Sequence, residues 1–258
     1  MLKSTRLAIH ADPKSPVAEA YRILRTNIEF SSTDRKIKVI LVTSSGPAEG
    51  KSTTAANMAI AMAEANRRVL LIDCDLRKPS IHRMFGLVNI KGLTNILVEG
   101  LEYSEITNVT EVENLEVITS GPKPPNPSEL LGSQRMKEFL DKVREDYDVI
   151  IIDTPPVLPV TDAAVLSQYV DGVVLVAGYG LTTFDAAVQA KASLQKVNAR
   201  ILGVVLNGVP TDRRGGYYYY YYYYYDEHGR KKRRRKSTVE KPLSVDGISV
   251  SRSEGMEL

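Results

Sequence analysis

The segment Gly46-Pro-Ala-Glu-Gly-Lys-Ser52 has the residue types that cradle phosphate. Glycines let backbone N–H groups approach an anion, a lysine reaches the β and γ phosphates, and a serine hydroxyl binds Mg²⁺. The match departs from G-x-x-x-x-G-K-[ST] at its first position, where Ser45 replaces glycine. Two further segments end in acids, Leu70-Leu-Ile-Asp73-Cys-Asp75-Leu-Arg77 and Ile150-Ile-Ile-Asp153-Thr-Pro-Pro156. Mg²⁺ takes hard oxygen ligands, usually one or two carboxylates with phosphates and water. Far downstream lie nine consecutive tyrosines, Tyr217 to Tyr225, out of fourteen in the chain. A strand alternates its faces, so nine large rings in a row cannot all be buried. Together these residues point to an enzyme that binds ATP and a tail able to receive its phosphate.

The elements that must position this chemistry are legible as apolar runs. Ile37–Thr43, Val69–Asp73, Leu115–Thr119, Val149–Asp153, Val173–Ala177 and Ile201–Asn207 are short and rich in β-branched residues. Most are continuous rather than alternating, as expected of strands covered on both faces. Helical segments are expected at Ser52–Asn66, Ser133–Glu145, Ala163–Tyr169 and Phe184–Val197. Residues 15–30 read as a helix with Ser15 as cap and Pro16 at its first position. Residues 1–14 read as an arm. Strands alternating with helices predict an α/β fold, a parallel twisted sheet flanked by helices. In such a sheet ligands sit at the carboxyl ends of the strands. Asp73, Asp75 and Asp153 are therefore expected to converge on the phosphate loop. Aspartates also cap turns after strands, but two such motifs beside a phosphate loop favour the site.

Composition sets limits. The chain has 258 residues, of which 43% are hydrophobic, enough for a sizeable core. No apolar run reaches the length of a membrane span, and no apolar stretch follows the N-terminus as in a signal peptide. A single cysteine, Cys74, excludes an internal disulfide framework and fits a reducing cytoplasm. Residues 226–236 carry seven basic and two acidic groups, which leaves the rest of a +3 chain at −2. The basic character belongs to the tail, so no nucleic-acid-binding face is expected on the folded domain. Residues 1–210 read as one ATP-binding domain. Residues 211–258, poor in aliphatic side chains, read as a mobile, disordered tail.

The three motifs resemble the Walker A, A′ and B motifs of the bacterial tyrosine kinases (BY-kinases): Ser44–Thr54, Asp73–Arg77 and Asp153–Pro156. Further matches are Glu19-Ala-Tyr-Arg22-Ile-Leu-Arg25-Thr-Asn27, Gly92-Leu-Thr-Asn-Ile96, Pro124-Pro-Asn-Pro-Ser-Glu-Leu-Leu-Gly132 and Thr161-Asp162-Ala163. The resemblance covers roughly residues 8 to 210 and the tyrosine cluster. It implies a P-loop NTPase-like fold with deviant Walker motifs and a stand-alone cytoplasmic kinase. A separate membrane-spanning activator, acting through a cytoplasmic segment, would recruit it to the inner face of the membrane. It also implies a role in capsular or exopolysaccharide synthesis or export.

The cofactors implied are ATP and Mg²⁺. ATP would be held by Gly46, Pro47, Ala48, Glu49, Gly50, Lys51, Ser52 and Thr53, with Asn207 of Asn207-Gly208-Val209 on the adenine side or simply in a strand-end turn. Ser52, Asp75 and Asp153 would hold the metal. Lys51 would stabilise phosphate charge. Asp73 would orient or deprotonate the tyrosine hydroxyl. Arg77 would steady charge at the site or form a salt bridge at the loop. The acceptors would be Tyr217, Tyr218, Tyr219, Tyr220, Tyr221, Tyr222, Tyr223, Tyr224 and Tyr225, with other protein substrates besides. Glu19, Arg22 and Arg25, three apart on one helix face, would make subunit contacts in a homo-oligomeric ring. Spacing alone would make them a solvated face.

This chain departs from the family pattern at Gly46 and Ala48, where Val and Gly are usual. Its tail also runs well past the tyrosines, through the basic tract Lys231–Lys236. Two other readings stay open. A partition- or division-site-type positioning ATPase shares the deviant motifs, but it carries a lysine where this chain has Gly46, and it lacks a tyrosine tail. A degenerate scaffold that binds nucleotide without transferring phosphate is kept open by Ser45 and Ala48.

Overall fold

A computed structural model of the chain describes residues 7–31 and 36–210. The tyrosine run, the basic tract and the expected tail lie outside the described residues. Seven strands are found among the described residues: β1 (Val39–Ser44), β2 (Val69–Asp73), β3 (Asn108–Val109), β4 (Leu115–Ile118), β5 (Val149–Asp153), β6 (Gly172–Gly178) and β7 (Ile201–Asn207). They form one sheet in the order β3-β4-β2-β5-β1-β6-β7. Every pairing is parallel except β3 with β4. The six expected strands are present with small boundary shifts. The two-residue strand β3, too short to carry a period, adds one antiparallel pairing at the edge of the expected parallel sheet.

The helices are α1 (Ala8–Ala11), α2 (Pro16–Phe30), α3 (Lys51–Ala63), α4 (Ile81–Met84), α5 (Leu93–Glu99), α6 (Pro127–Leu131), α7 (Gln134–Asp146), α8 (Asp162–Leu166) and α9 (Phe184–Lys196). Ser15 caps α2 as expected, its Oγ accepting the Ala18 N–H at 3.2 Å. The expected arm contains a single helical turn, α1. The short helices α4, α5 and α6 fall below the length at which helical periodicity is visible.

Both faces of the sheet are covered across β2, β5, β1 and β6, which is why those strands are apolar without alternation. The edge strand β7 is the exception, with Val204 and Leu206 exposed. Leu7 and Ile9 beside α1, with α2, α3 and α4, pack on the face that carries Ile40, Val42, Leu71, Ile151 and Val176. Helices α5 to α9 pack on the face of Leu41, Leu70, Ile72, Ile150 and Ile152. From Thr54 onward α3 is buried on every side. Its alanines carry no bulk, which lets α2 and the sheet approach it from opposite sides.

The register sets the site. Parallel pairing aligns Asp73 of β2 with Asp153 of β5, and Asp153 with Val42, just before the end of β1. Neighbouring strands lie about 4.8 Å apart, so the two acids stand side by side on the same face. The central position of β5 makes its packing the framework of this arrangement. Ile151, fully buried beneath α3, is expected to cost about 2–5 kcal/mol as Ile151→Ala. Urea unfolding measures this, and a loss no greater than that of a surface substitution would show that β5 is not central to the core.

Candidate active site

β1 ends at Ser44 and α3 begins at Lys51, so the loop between them spans residues 45–50. Backbone N–H groups at the start of α3 have no partners within the helix and are available to an anion. Two loop residues have left-handed backbone, Ala48 with φ 62° and Gly50 with φ 90°. At Gly50 a Cβ would lie 1.9 Å from Asn207 Nδ2, so glycine is required both by conformation and by space. Ala48 keeps its Cβ in a region that costs an L-residue about 1–2 kcal/mol. This is the position at which the family pattern carries glycine.

The loop is braced from within. Ser45 gives its N–H to Glu49 Oε2 at 2.9 Å and its hydroxyl to Glu49 Oε1 at 2.5 Å. The Glu49 side chain is buried, so this acid closes the loop as a strut and does not face the exterior. Asn207 Nδ2 donates to the Glu49 carbonyl at 3.1 Å, so the end of β7 supports the loop from outside. On the other flank Thr154 N–H donates to Val42 O at 3.1 Å and Val157 N–H to Ser44 O at 2.8 Å. The segment after β5 is thereby stitched to the end of β1. The Ser45–Glu49 strut is not legible in the sequence. Its only trace in sequence is a hydroxyl where glycine ordinarily stands.

Four of the expected residues come together. Lys51 Nζ donates to Asp75 Oδ2 at 2.8 Å and to Ser52 Oγ at 3.0 Å, and stands 3.7 Å from Asp153 Oδ1. Burial works to lower the Lys51 pKa, but Asp153 and Asp75 outweigh it and hold it above the ordinary value. Asp153 is completely buried, and neither of its carboxylate oxygens has a hydrogen-bond partner. Burial pushes its pKa up to about 6, with Lys51 opposing. An orphaned buried carboxylate is costly unless a cation completes it. Among the described residues no group of three or more His, Cys, Asp or Glu could hold a metal by itself. Asp153, Asp75 and Ser52 do fit Mg²⁺, whose shell is one or two carboxylates completed by phosphate and water.

Asp73 adjoins this cluster, but its carboxylate faces α4. Oδ2 accepts the N–H groups of Ser80 and Ile81, each at 3.0 Å, and Oδ1 accepts that of Asp75 at 3.2 Å. Full burial, then Asp153 beside it, push its pKa up to about 8. Arg77 pairs with buried Asp162, Nε to Oδ2 at 3.0 Å, so the salt bridge is the arrangement found. Arg22 contacts Glu19, Glu64 and the Pro13 carbonyl, and Arg25 donates to Ala61 O at 2.8 Å. These contacts tie α2 to the last turns of α3 in the same subunit. Gly92 of the Gly92–Ile96 motif is required for close approach, since a Cβ there would lie 2.2 Å from Thr119 O.

Two outcomes follow from this geometry. Ala48→Gly relieves the left-handed strain and is expected to raise stability by about 0.5–1 kcal/mol, after the greater freedom glycine gives the unfolded chain. An unchanged or lower urea midpoint would refute it. Asp73 has a folded-state pKa above its unfolded value, so between roughly pH 4 and 8 the folded protein binds the extra proton. Its contribution to stability is complete below that window and is lost as pH rises through it. The stability difference between the wild type and Asp73→Asn should therefore shift against the wild type from pH 5 to pH 8.5. Parallel thermal-unfolding curves at the two pH values would exclude the effect.

A family model described as an AAA domain matches residues 37–200. The chain is 47% identical to the tyrosine-protein kinase YwqD of Bacillus subtilis (strain 168), over 76% of this chain and 83% of that one. The crystal structure of the chimerical protein CapA2B2 superposes with a TM-score of 0.77 at 41% identity, covering 80% of this chain and 92% of that one. The kinase domain of the Escherichia coli tyrosine kinase ETK gives 0.79 at 33%, covering 84% and 85%. The septum site-determining protein MinD of Pyrococcus horikoshii, solved with Mg-ADP, gives 0.58 at 23%, over 69% of this chain and 72% of that one, a likeness of fold alone. With that identity spread over most of its length, on a P-loop NTPase fold, the chain belongs to the bacterial tyrosine kinases and is a protein-tyrosine kinase.

Proposed function

We propose that this kinase transfers the γ-phosphoryl group of Mg·ATP to tyrosines of its own 217–225 run, from one subunit to the next. The observation that carries the reading is the cluster of Lys51, Ser52, Asp75 and Asp153 at the mouth of the phosphate loop. Phosphoryl transfer passes through a loose transition state, so positioning and charge stabilisation supply most of the catalysis. Lys51 and the loop N–H groups stabilise charge on the β–γ bridge and the γ oxygens. Ser52, Asp75 and Asp153 hold Mg²⁺, which when bound neutralises phosphate charge.

Asp73 is the carboxylate assigned to the acceptor hydroxyl. A phenol has a pKa of about 10, so a carboxylate raised by burial is a closer match than an ordinary one. Because Asp73 is buried under backbone donors, the acceptor reaches it only when the 74–80 turn yields those bonds. Asn207 stands at the edge of the phosphate loop, where adenine is expected. Glu19, Arg22 and Arg25 contact the neighbouring subunit of a ring through the parts of their side chains left exposed by their contacts to α3.

Among the described residues no helix is long and apolar enough to cross a membrane. By its resemblance to the stand-alone members of the family, the reading places the kinase in the cytoplasm, drawn to the inner face of the membrane by a membrane-spanning activator with a cytoplasmic segment. There it regulates capsular or exopolysaccharide synthesis and acts on other protein substrates. The similarity to kinases of this family supports these assignments.

The test is ATP-dependent anti-phosphotyrosine signal on the purified full chain, with and without a cytoplasmic segment of a candidate membrane partner. Lys51→Met is expected to lower it by at least about a hundredfold. A kinase-competent variant with Tyr217–Tyr225 changed to Phe should phosphorylate the Lys51→Met chain when the two are mixed. ATP hydrolysis without phosphotyrosine under every condition would overturn the reading.

A further inference from the structure

The Lys51 ammonium lies among the three oxygens assigned to the metal. It is 2.8 Å from Asp75 Oδ2, 3.0 Å from Ser52 Oγ and 3.7 Å from Asp153 Oδ1. These three side chains are well shielded, with exposures of 12% for Lys51, 5% for Asp75 and 0% for Asp153. A lysine ammonium is a compact point charge with three donors, and here two of them are used. Mg²⁺ approaches its oxygens to about 2.1 Å, so it and Nζ cannot both occupy this space. In a poorly solvated site two cations this close also repel strongly. The oxygens therefore have one cation or the other.

We propose that Lys51 is the resident counter-ion of the magnesium site and excludes divalent metal until nucleotide phosphates draw the ammonium away. The inference rests on the Mg·ATP reading above and adds an order of events to it. Asp75 and Asp153 both face this space, and Asp153 has no hydrogen-bond partner, so the cluster needs positive charge whether or not a metal is present. Lys51 supplies it from the first residue of α3, at the end of the loop that receives the phosphates. When the phosphates offer the ammonium a second anionic partner, Asp75, Asp153 and Ser52 are released to the metal. Metal without nucleotide has to compete with a covalently tethered cation. Metal arriving with nucleotide does not.

The experiment titrates the full chain with Mn²⁺ in the absence of nucleotide and reads free Mn²⁺ by electron paramagnetic resonance. Lys51→Met should bind Mn²⁺ roughly tenfold or more tighter than the wild type, a conservative figure for removing a unit charge at this range. Lys51→Gln, neutral but still hydrogen-bonding, provides a second variant should the Met protein fail a thermal-unfolding check. Lys51→Arg, which keeps the charge, should stay near the wild type. Adding Asp153→Asn to Lys51→Met should abolish the gain. Equal or weaker Mn²⁺ binding in both neutral variants, or an equal gain in Lys51→Arg, overturns the proposal. A parallel titration of the wild type with ADP separates the two readings. If ADP creates no Mn²⁺ site, the magnesium-nucleotide reading fails. If it does while the neutral variants gain nothing, only the counter-ion role of Lys51 fails.

Discussion

Two carboxylates fixed side by side at the ends of adjacent parallel strands are the constraint around which this site is built. Asp73 and Asp153 share a register level, and neither can turn toward water because both are fully buried. Two acids in that position need a retained proton, donors or a cation. The structure answers differently for each. Asp73 is satisfied by the backbone N–H groups of Asp75, Ser80 and Ile81, which fixes the turn leading into α4. Asp153 is left without hydrogen-bond partners and faces Lys51. A buried polar group left unsatisfied in a well-packed protein calls for an explanation, and binding a cation is the one this chemistry supplies.

The phosphate loop is shaped by the same economy of donors. Its width is set by Glu49, which reaches back across the loop to the N–H and hydroxyl of Ser45. Its outer edge is set by Asn207, which sits so close to Gly50 that no side chain fits between them. Holding an acid inside an anion-binding loop is tolerable because its charge is spent on Ser45, while the helix N-terminus keeps its own donors. The loop therefore keeps its curvature despite lacking glycine at positions 45 and 48. The strain at Ala48 is local, and the bracing around it offsets the cost.

Helix α3 connects this loop to the N-terminal part of the chain. Asn57, two turns into the helix, accepts the Ile9 N–H and donates to Thr53 O. Arg25 satisfies Ala61 O near the other end of the same helix, where carbonyls lack partners and positive charge is favoured. The two N-terminal helices thus rest on the element whose first residue is Lys51. A shift of α3 on nucleotide binding would be felt at Glu19, Arg22 and Arg25, because their neighbours Glu64 and Ala61 move with it.

The sequence by itself determined the α/β class, six of the seven strands, the long helices and the identity of the chemical groups. Short continuous apolar runs rich in β-branched residues favour strands packed into a core, and glycine, lysine and strand-end acids carry their chemistry in their types. It did not determine β3, α1 or the helices α4 to α6, because β3 is only two residues long and helices of one or two turns are too short to show a helical period. Nor could it say which contact Arg77 makes, since its partner Asp162 is 85 residues away. The Ser45–Glu49 strut and the Asn207 contact were likewise decided only by folding. So was the position of Lys51 among three oxygens drawn from its own helix, the turn after β2 and the end of β5. Residue types fix what a group can bind, but distances between groups far apart in the chain exist only once strand register and loop curvature have been set.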